Sequence, residues 1–235
     1  MRCKIADLIT ELPEAGDLIP RCQAYLCDSV GDEAVRISKE DFRLDAWNNL
    51  VGDFWVYMES GSQFYGRLIK HGGLMLHASA VELNGNAYLF SGHCGVGKST
   101  HTRLWQKTFG ASAQVFNDDK PALRYLDGRW YAYGTPWCGK DGININMKAP
   151  LAGICFLKQA QENRIRRLSA REAVQLLLPQ TMWKYNDGAN TLLLMEHLDN
   201  LIREIPIFEL ENRPEPEAAL LSCETMRRAA EEAGL

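Results

Sequence analysis

The sequence predicts an α/β protein organised around a glycine-rich, phosphate-binding type of loop set between a strand and a helix. Three observations carry that expectation. An apolar, strand-like run from Ala87 to Phe90 leads straight into Gly92-His93-Cys94-Gly95-Val96-Gly97-Lys98-Ser99, which satisfies G-x-x-x-x-G-K-[ST]. Behind the loop the pattern turns helical, with Leu104, Trp105 and Phe109 apolar and Gly110 placed as a stop. Ahead of it, Asn84-Gly85 is a strong short hairpin signal, so the strand entering the loop is expected to pair antiparallel with the strand before it. Ordinary P-loop folds join parallel strands through helices instead.

Composition narrows the classes of partner. The chain has 235 residues, enough for one well-buried core, and an ordinary globular composition. A net charge of -4 without a basic stripe argues against a nucleic-acid partner. The local excess of Arg164, Arg166, Arg167 and Arg171 is interleaved with Glu162 and Glu172 and reads as a solvated face. Met1 to Gly16 carries Asp7, Glu11 and Glu14, unlike a secretory h-region, and no apolar run approaches the ~20 residues of a membrane span. A cytoplasmic protein with no membrane partner is expected; an oligomer is compatible with the sequence. Seven cysteines without a C-x-x-C fit reduced thiols, and Cys94 and Cys138 read as passive small residues within loops.

Taken in order, residues 1–55 are expected to form a small, β-rich N-terminal flank or lobe. Short apolar runs at Ile5 to Leu8, Ala24 to Cys27 and Phe54 to Tyr57 alternate with Pro13, Gly16, Pro20 and Gly31-Asp32. Residues 56–235 are expected to form the nucleotide-binding domain. Tyr57, Gly61, Phe64, Tyr65 and Leu68 follow a helix period through Ile69, and Leu74 to Leu83 reads as a strand. Ala113 to Phe116 is a strand ending in Asn117-Asp118-Asp119-Lys120-Pro121. Asp127-Gly128 joins a second hairpin, from Ala122 to Leu126 and from Arg129 to Tyr133. Gly134 to Gly142 is a glycine-rich loop, and Leu151 to Leu157 a buried strand. Ser169-Ala170-Arg171-Glu172 is a capping box opening a helix through Leu178. Asn190 to Arg203 is a core helix, Ile205 to Leu210 a last strand, and Glu215 begins a terminal helix.

The chemistry follows from the loop. Successive amides of Gly92 to Gly97 can point into one concavity, and Lys98 adds a positive charge aimed at outer phosphates. Ser99 can offer its hydroxyl to a phosphate-bound Mg²⁺. The helix N-terminus at Lys98, Ser99 and Thr100 then lies beneath the phosphates. Asp118 and Asp119 follow a strand, twenty and twenty-one residues beyond Lys98. One can hold the metal while the other accepts a proton from an attacking hydroxyl, and which does which is open. His77, read as lying inside the strand before the hairpin, can reach a phosphoryl group or a metal. His93 and His101 flank the loop, either near phosphate or at the surface. In the second loop Lys140 is a candidate for phosphate or substrate charge, and Trp137 is either a stacking surface or a loop anchor.

Together, His77 fifteen residues before Gly92, the loop Gly92 to Ser99, and Asp118-Asp119 followed by Lys120 resemble the C-terminal domain of HPr serine kinase/phosphorylase. More distantly they are similar to the nucleotide core of the phosphoenolpyruvate carboxykinases. The likeness is strongest over residues 72–125 and extends, toward a broader HPr-kinase-related group, through Gly134-Thr135-Pro136-Trp137-Cys138-Gly139-Lys140. It implies a mixed-sheet P-loop kinase core that transfers the γ-phosphoryl group of ATP, with Mg²⁺, to a serine hydroxyl. The implied catalytic residues are Asp118, Asp119, His77 and Lys98. The implied cofactor-binding set is Gly92, His93, Cys94, Gly95, Val96, Gly97, Lys98, Ser99, Thr100 and Lys140, and the implied metal ligands are Ser99, Asp118 and Asp119. The acceptor is expected to be a hydroxyl-bearing peptide, protein or small molecule. Two other readings stand beside this one. A carboxykinase-like lyase would turn over oxaloacetate with nucleotide, and a non-catalytic sensing module would bind ATP without turnover.

Overall fold

In a computed structural model of the chain, residues 1–29, 34–42, 52–182 and 188–235 are described. The N-terminal segment makes a three-stranded sheet of β1 (Arg2–Ile5), β2 (Leu8–Glu11) and β3 (Val35–Arg36), with the short helix α1 (Leu18–Cys22) between β2 and β3. The run from Ile5 to Leu8, expected as one strand, contains the reversal between β1 and β2. Ala6 and Asp7 take the left-handed conformation there, at φ 49° and 61°. Neither residue announces such a turn as glycine would. Asp7 is held in place by Tyr133 and Lys148, whose partners lie far along the chain. Ala24 to Cys27 is not a strand either, since Gln23–Tyr25 forms a single 3-10 turn. The Gly31-Asp32 turn signal lies outside the described residues.

Phe54 to Tyr57, expected as a strand, opens helix α2 (Asp53–Leu68). Phe54 and Tyr57 are one helical step apart and continue into the same face as Phe64, Tyr65 and Leu68, a period too long for a four-residue window to show. Leu74 to Leu83 is likewise two strands, β4 (Gly73–Met75) and β5 (Ala78–Leu83). Leu74, Leu76, Ala78 and Ala80 are all buried in phase, so the break at Leu76-His77 leaves no mark in the hydrophobic pattern. At the break the backbone changes partners: Leu76 N–H donates to Pro121 O, His77 N–H to Gln180 O and Ala78 N–H to Asp119 O. His77 therefore lies between strands.

β5 pairs antiparallel with β6 (Asn86–Ser91) around Asn84-Gly85, and the loop after β6 leads into α3 (Lys98–Phe109). β7 (Ala113–Asn117) borders β5, while β8 (Ala122–Leu126) and β9 (Arg129–Tyr133) form a hairpin. The long β10 (Lys148–Gln159) unites the sheet. It pairs with β9 antiparallel over Lys148–Pro150, then with β6 in parallel, and β12 (Ile207–Asn212) runs parallel to its last residues. The result is a curled, mixed nine-stranded sheet in the order β4-β8-β9-β10-β6-β5-β7, extended beside β10 by β12 and β11 (Arg164–Arg167). β11 is the arginine-rich segment read as a solvated face. Its Arg166 is clasped by Glu172 and Glu209.

Helices cover both faces of this sheet. α4 (Ala170–Leu177), opened by the Ser169–Glu172 capping box, and α5 (Gly188–Glu204) bury Leu177, Leu194, Leu198 and Leu201 on one face. α3 and α6 (Pro216–Ala233) cover the other, with Trp105, Phe90, Tyr88 and Met226 between them. The N-terminal sheet and α2 share a third apolar cluster with Tyr133 and Trp137. None of the described helices is long and apolar enough to cross a membrane.

Trp137 settles its own two readings. It is 1% exposed, stacked on Phe64 with ring centroids 5.0 Å apart, and its Nε1–H donates to Tyr57 O at 3.1 Å. It anchors the glycine-rich loop to α2. Truncation of a buried tryptophan leaves a large cavity, so Trp137→Ala is expected to lower the unfolding free energy by about 3–5 kcal/mol. Urea denaturation measures this, and a loss below about 1 kcal/mol would contradict the anchor.

Candidate functional site

The loop between β6 and α3 owes its path to glycine. Gly92 sits at φ +139°, and a Cβ there would approach Leu157 O to 3.2 Å. Gly97, at φ +110°, is the left-handed residue from which α3 starts, and its carbonyl accepts His101 N–H at 2.9 Å. The first amides of α3 have no acceptors within the helix, so Lys98, Ser99 and Thr100 present N–H groups and the positive end of the helix dipole. Lys98 is buried, and its ammonium donates to the loop carbonyls of Gly92 at 3.0 Å and His93 at 3.4 Å. Burial lowers its affinity for the proton, an effect that nearby Asp119 opposes.

Facing the loop is the turn after β7, and its organiser is Asn117, a residue to which sequence reasoning assigned no role. Fully buried, it accepts the backbone N–H of Asp119 at 3.1 Å and of Lys120 at 2.7 Å through Oδ1. Its Nδ2 donates to Thr135 O and Trp137 O. The signal was present: an Asn one residue before Asp-Asp-Lys-Pro is the composition of an Asx turn. This turn aims the two aspartates apart. Asp118 accepts Gly139 N–H at 2.6 Å through Oδ1, and no other side chain is hydrogen-bonded to it among the described residues. Asp119 Oδ1 meets His77 Nε2 at 3.0 Å and its Oδ2 pairs with Lys120.

The environments split the pair. Burial pushes the Asp118 carboxyl up, and the Gly139 amide only partly offsets it. Burial acts on Asp119 in the same sense, but the His77 bond and the Lys120 charge outweigh it and hold that carboxyl well below the usual range. His77 is oriented in turn by Gln180, whose Oε1 lies 3.0 Å from Nδ1 and whose backbone carbonyl accepts the His77 N–H at 2.8 Å. Nothing in the sequence marked Gln180, because it comes from a separate 3-10 turn after α4.

These groups converge on one cavity of about 430 Å³. Cys94, Gly95, Gly97, Lys98, Ser99 and Thr100 line one side, with His77, Asp118, Asp119 and Lys140 opposite. Gly92 lies buried at the foot of the loop, His93 is exposed outside, and neither lines the cavity. Val96 lines a neighbouring cavity of about 730 Å³ that shares Gly95, Gly97 and Thr100 and continues to Leu104, Gln159 and Arg213. A third, of about 320 Å³, shares His77 and Asp119 and is completed by Met75, Lys120, Pro179, Gln180 and Thr181.

His101 is not at the surface. It is 1% exposed, packed on Phe90, with Nε2 3.0 Å from Ser222 Oγ, and it borders the 730 Å³ cavity rather than the 430 Å³ one. Cys138 is also inert: burial pushes its thiol up, and Arg21 donates to its sulfur.

Ser99 and the aspartates offer hard oxygen donors, and among the described residues no group of three His, Cys, Asp or Glu forms a closed metal cage. That set fits Mg²⁺, which takes one or two carboxylates and fills its remaining positions with phosphate oxygens and water.

No protein-family model matches the chain, and no curated protein matches it. Among solved structures, the Hpr(Ser) kinase/phosphatase from Coxiella burnetii is similar over 66% of this chain and 88% of its own, at 13% identity and a TM-score of 0.38. That is a distant likeness.

His101 gives the site's neighbourhood a pH dependence. Burial lowers its pKa from 6.5 to about 4, so between these values the unfolded chain binds a proton that the folded chain does not. Stability is therefore expected to fall as pH drops from 6.5 toward 4, by at most about 1.4 kcal/mol per pH unit. Denaturation curves for His101→Leu should show a flatter slope across that window; an unchanged slope would assign the titration elsewhere.

Proposed function

We propose that the chain is an ATP- and Mg²⁺-dependent phosphotransferase acting on a hydroxyl group of a peptide, protein or small molecule. The observation that carries this reading is the convergence, in one cavity of about 430 Å³, of a glycine-rich helix N-terminus, Lys98, Ser99, two aspartates and His77. Phosphoryl transfer asks for positioning and charge neutralisation more than for covalent chemistry, and these residues supply both.

The geometry favours a division of labour. Asp118 has one oxygen on the Gly139 amide and the other free of side-chain partners, which suits a metal ligand beside Ser99. Ser99 and Asp118 would hold the Mg²⁺, which would supply charge neutralisation at the phosphates. Lys98 exchanges its loop carbonyls for β- and γ-phosphate oxygens. Asp119 borders both the loop cavity and the 320 Å³ cavity, which suits a base placed between phosphate and acceptor, and His77 with Gln180 behind it fixes its direction. A carboxylate held this low is a weak base, but a loose transition state needs the proton removed only late. The neighbouring 730 Å³ cavity, sharing Thr100, suits the nucleoside, and the 320 Å³ cavity beyond His77 and Asp119 suits the acceptor.

Transfer from γ-labelled ATP to a panel of hydroxyl compounds and serine peptides tests the assignment. Asp119→Asn should keep Mg·ATP binding and lose roughly 10²–10⁴ of the transfer rate. Asp118→Asn should instead raise the Mg²⁺ concentration needed for half-maximal rate. ATP bound by the native chain with neither transfer nor hydrolysis across the panel would replace this reading with the sensing module.

A further inference from the structure

One cation of the phosphate cavity has no role so far. Arg103 lies on α3 one turn beyond Ser99 and lines the same cavity. Its guanidinium Nη2 is 2.6 Å from Asp141 Oδ2. Asp141 belongs to a tight turn in which Gly142 N–H donates to Gly139 O at 3.2 Å, and Gly139 N–H is the group bound to Asp118. The pair thus fastens the glycine-rich loop to α3 across the phosphate cavity.

Three observations say that this fastening is exchangeable. First, Arg103 is 58% exposed and Asp141 25%, and an ion pair so open to water adds little to stability. Second, the cavity wall is balanced: Lys98, Arg103 and Lys140 face Asp118, Asp119 and Asp141. Lys98 is turned onto loop carbonyls and Arg103 onto Asp141, so neither cation is free for a polyphosphate until it exchanges its resting partner. Third, guanidinium binds phosphate in a bidentate, charge-assisted manner that a single carboxylate oxygen does not match.

We propose that Arg103 is a polyphosphate ligand that Asp141 occupies until nucleotide arrives. Phosphate oxygens displace the Asp141 carboxylate from Arg103, and the released guanidinium becomes a second fixed cation, beside Lys98, on the outer phosphates. Asp141 is then a competitor of the substrate, built into the loop that also carries Gly139. This inference rests on the nucleotide reading of the cavity.

The test is equilibrium binding of Mg·ATP, and of inorganic triphosphate as the bare probe, to the native chain, Arg103→Met, Arg103→Lys, Asp141→Asn and the Arg103→Met/Asp141→Asn double variant. Circular dichroism checks that each variant is folded. Arg103→Met should weaken triphosphate binding roughly 10- to 100-fold, with Arg103→Lys in between. Asp141→Asn should tighten it roughly two- to five-fold, and that gain should vanish in the double variant. A pair that merely braces the loop gives both single variants the same sign. Weaker binding in Asp141→Asn, or unchanged binding in Arg103→Met, overturns the inference alone. A native chain that binds neither ligand overturns the nucleotide reading and this inference with it.

Discussion

Asn117 holds the aspartate-bearing half of the candidate site in shape. A fully buried side-chain amide must satisfy its donors and its acceptor inside the protein, and Asn117 does so by bonding two separate stretches of backbone. Its carbonyl fixes the Asp118-Asp119-Lys120 turn, and its NH₂ fixes Thr135 to Trp137. Those two stretches present the aspartates and the Gly139 amide to the cavity beside the Gly92–Ser99 loop. Trp137, seated on α2, supports the arrangement from behind. The aspartates thereby stand on a frame tied to the core rather than on an independent surface turn.

From that frame the electrostatics follow. Two adjacent carboxylates at the end of one strand would repel each other if they shared one environment. Here Asp118 faces an amide in a buried setting while Asp119 is clasped by His77 and Lys120, and their proton affinities move in opposite directions. Pairs of titratable groups driven apart in this way are candidates for distinct roles in one reaction. Lys98 adds a buried cation already desolvated by the loop and bonded to its carbonyls.

Local signals made the loop-bearing core legible in the sequence. Gly92 to Ser99 with its flanking strand and helix, Asn84-Gly85, Asp127-Gly128 and the Ser169–Glu172 box each act within a few residues, and each corresponds to an element of the structure. What the sequence hid depends on distant partners. The Ala6-Asp7 turn is stabilised from Tyr133 and Lys148, and the break at His77 is set by Gln180 and Asp119. His101 looked available because a polar residue beside a phosphate loop is normally wet, yet the packing of α3 against α6 buries it on Ser222. Gln180, Arg103 and Asp141 were invisible as site residues for the same reason, since only the fold brings their segments to one cavity.

The proposed function requires the Gly92–Ser99 loop and the aspartate turn to hold a metal-bound nucleoside triphosphate together. Crystals grown with a non-hydrolysable ATP analogue and Mn²⁺, measured at a wavelength where manganese scatters anomalously, test it most directly. One anomalous peak is expected at roughly metal–oxygen distance from Ser99 Oγ and an Asp118 carboxylate oxygen, with the phosphates lying along the amides of Gly95 to Thr100. Phosphates bound elsewhere, or a metal away from both side chains, would contradict it.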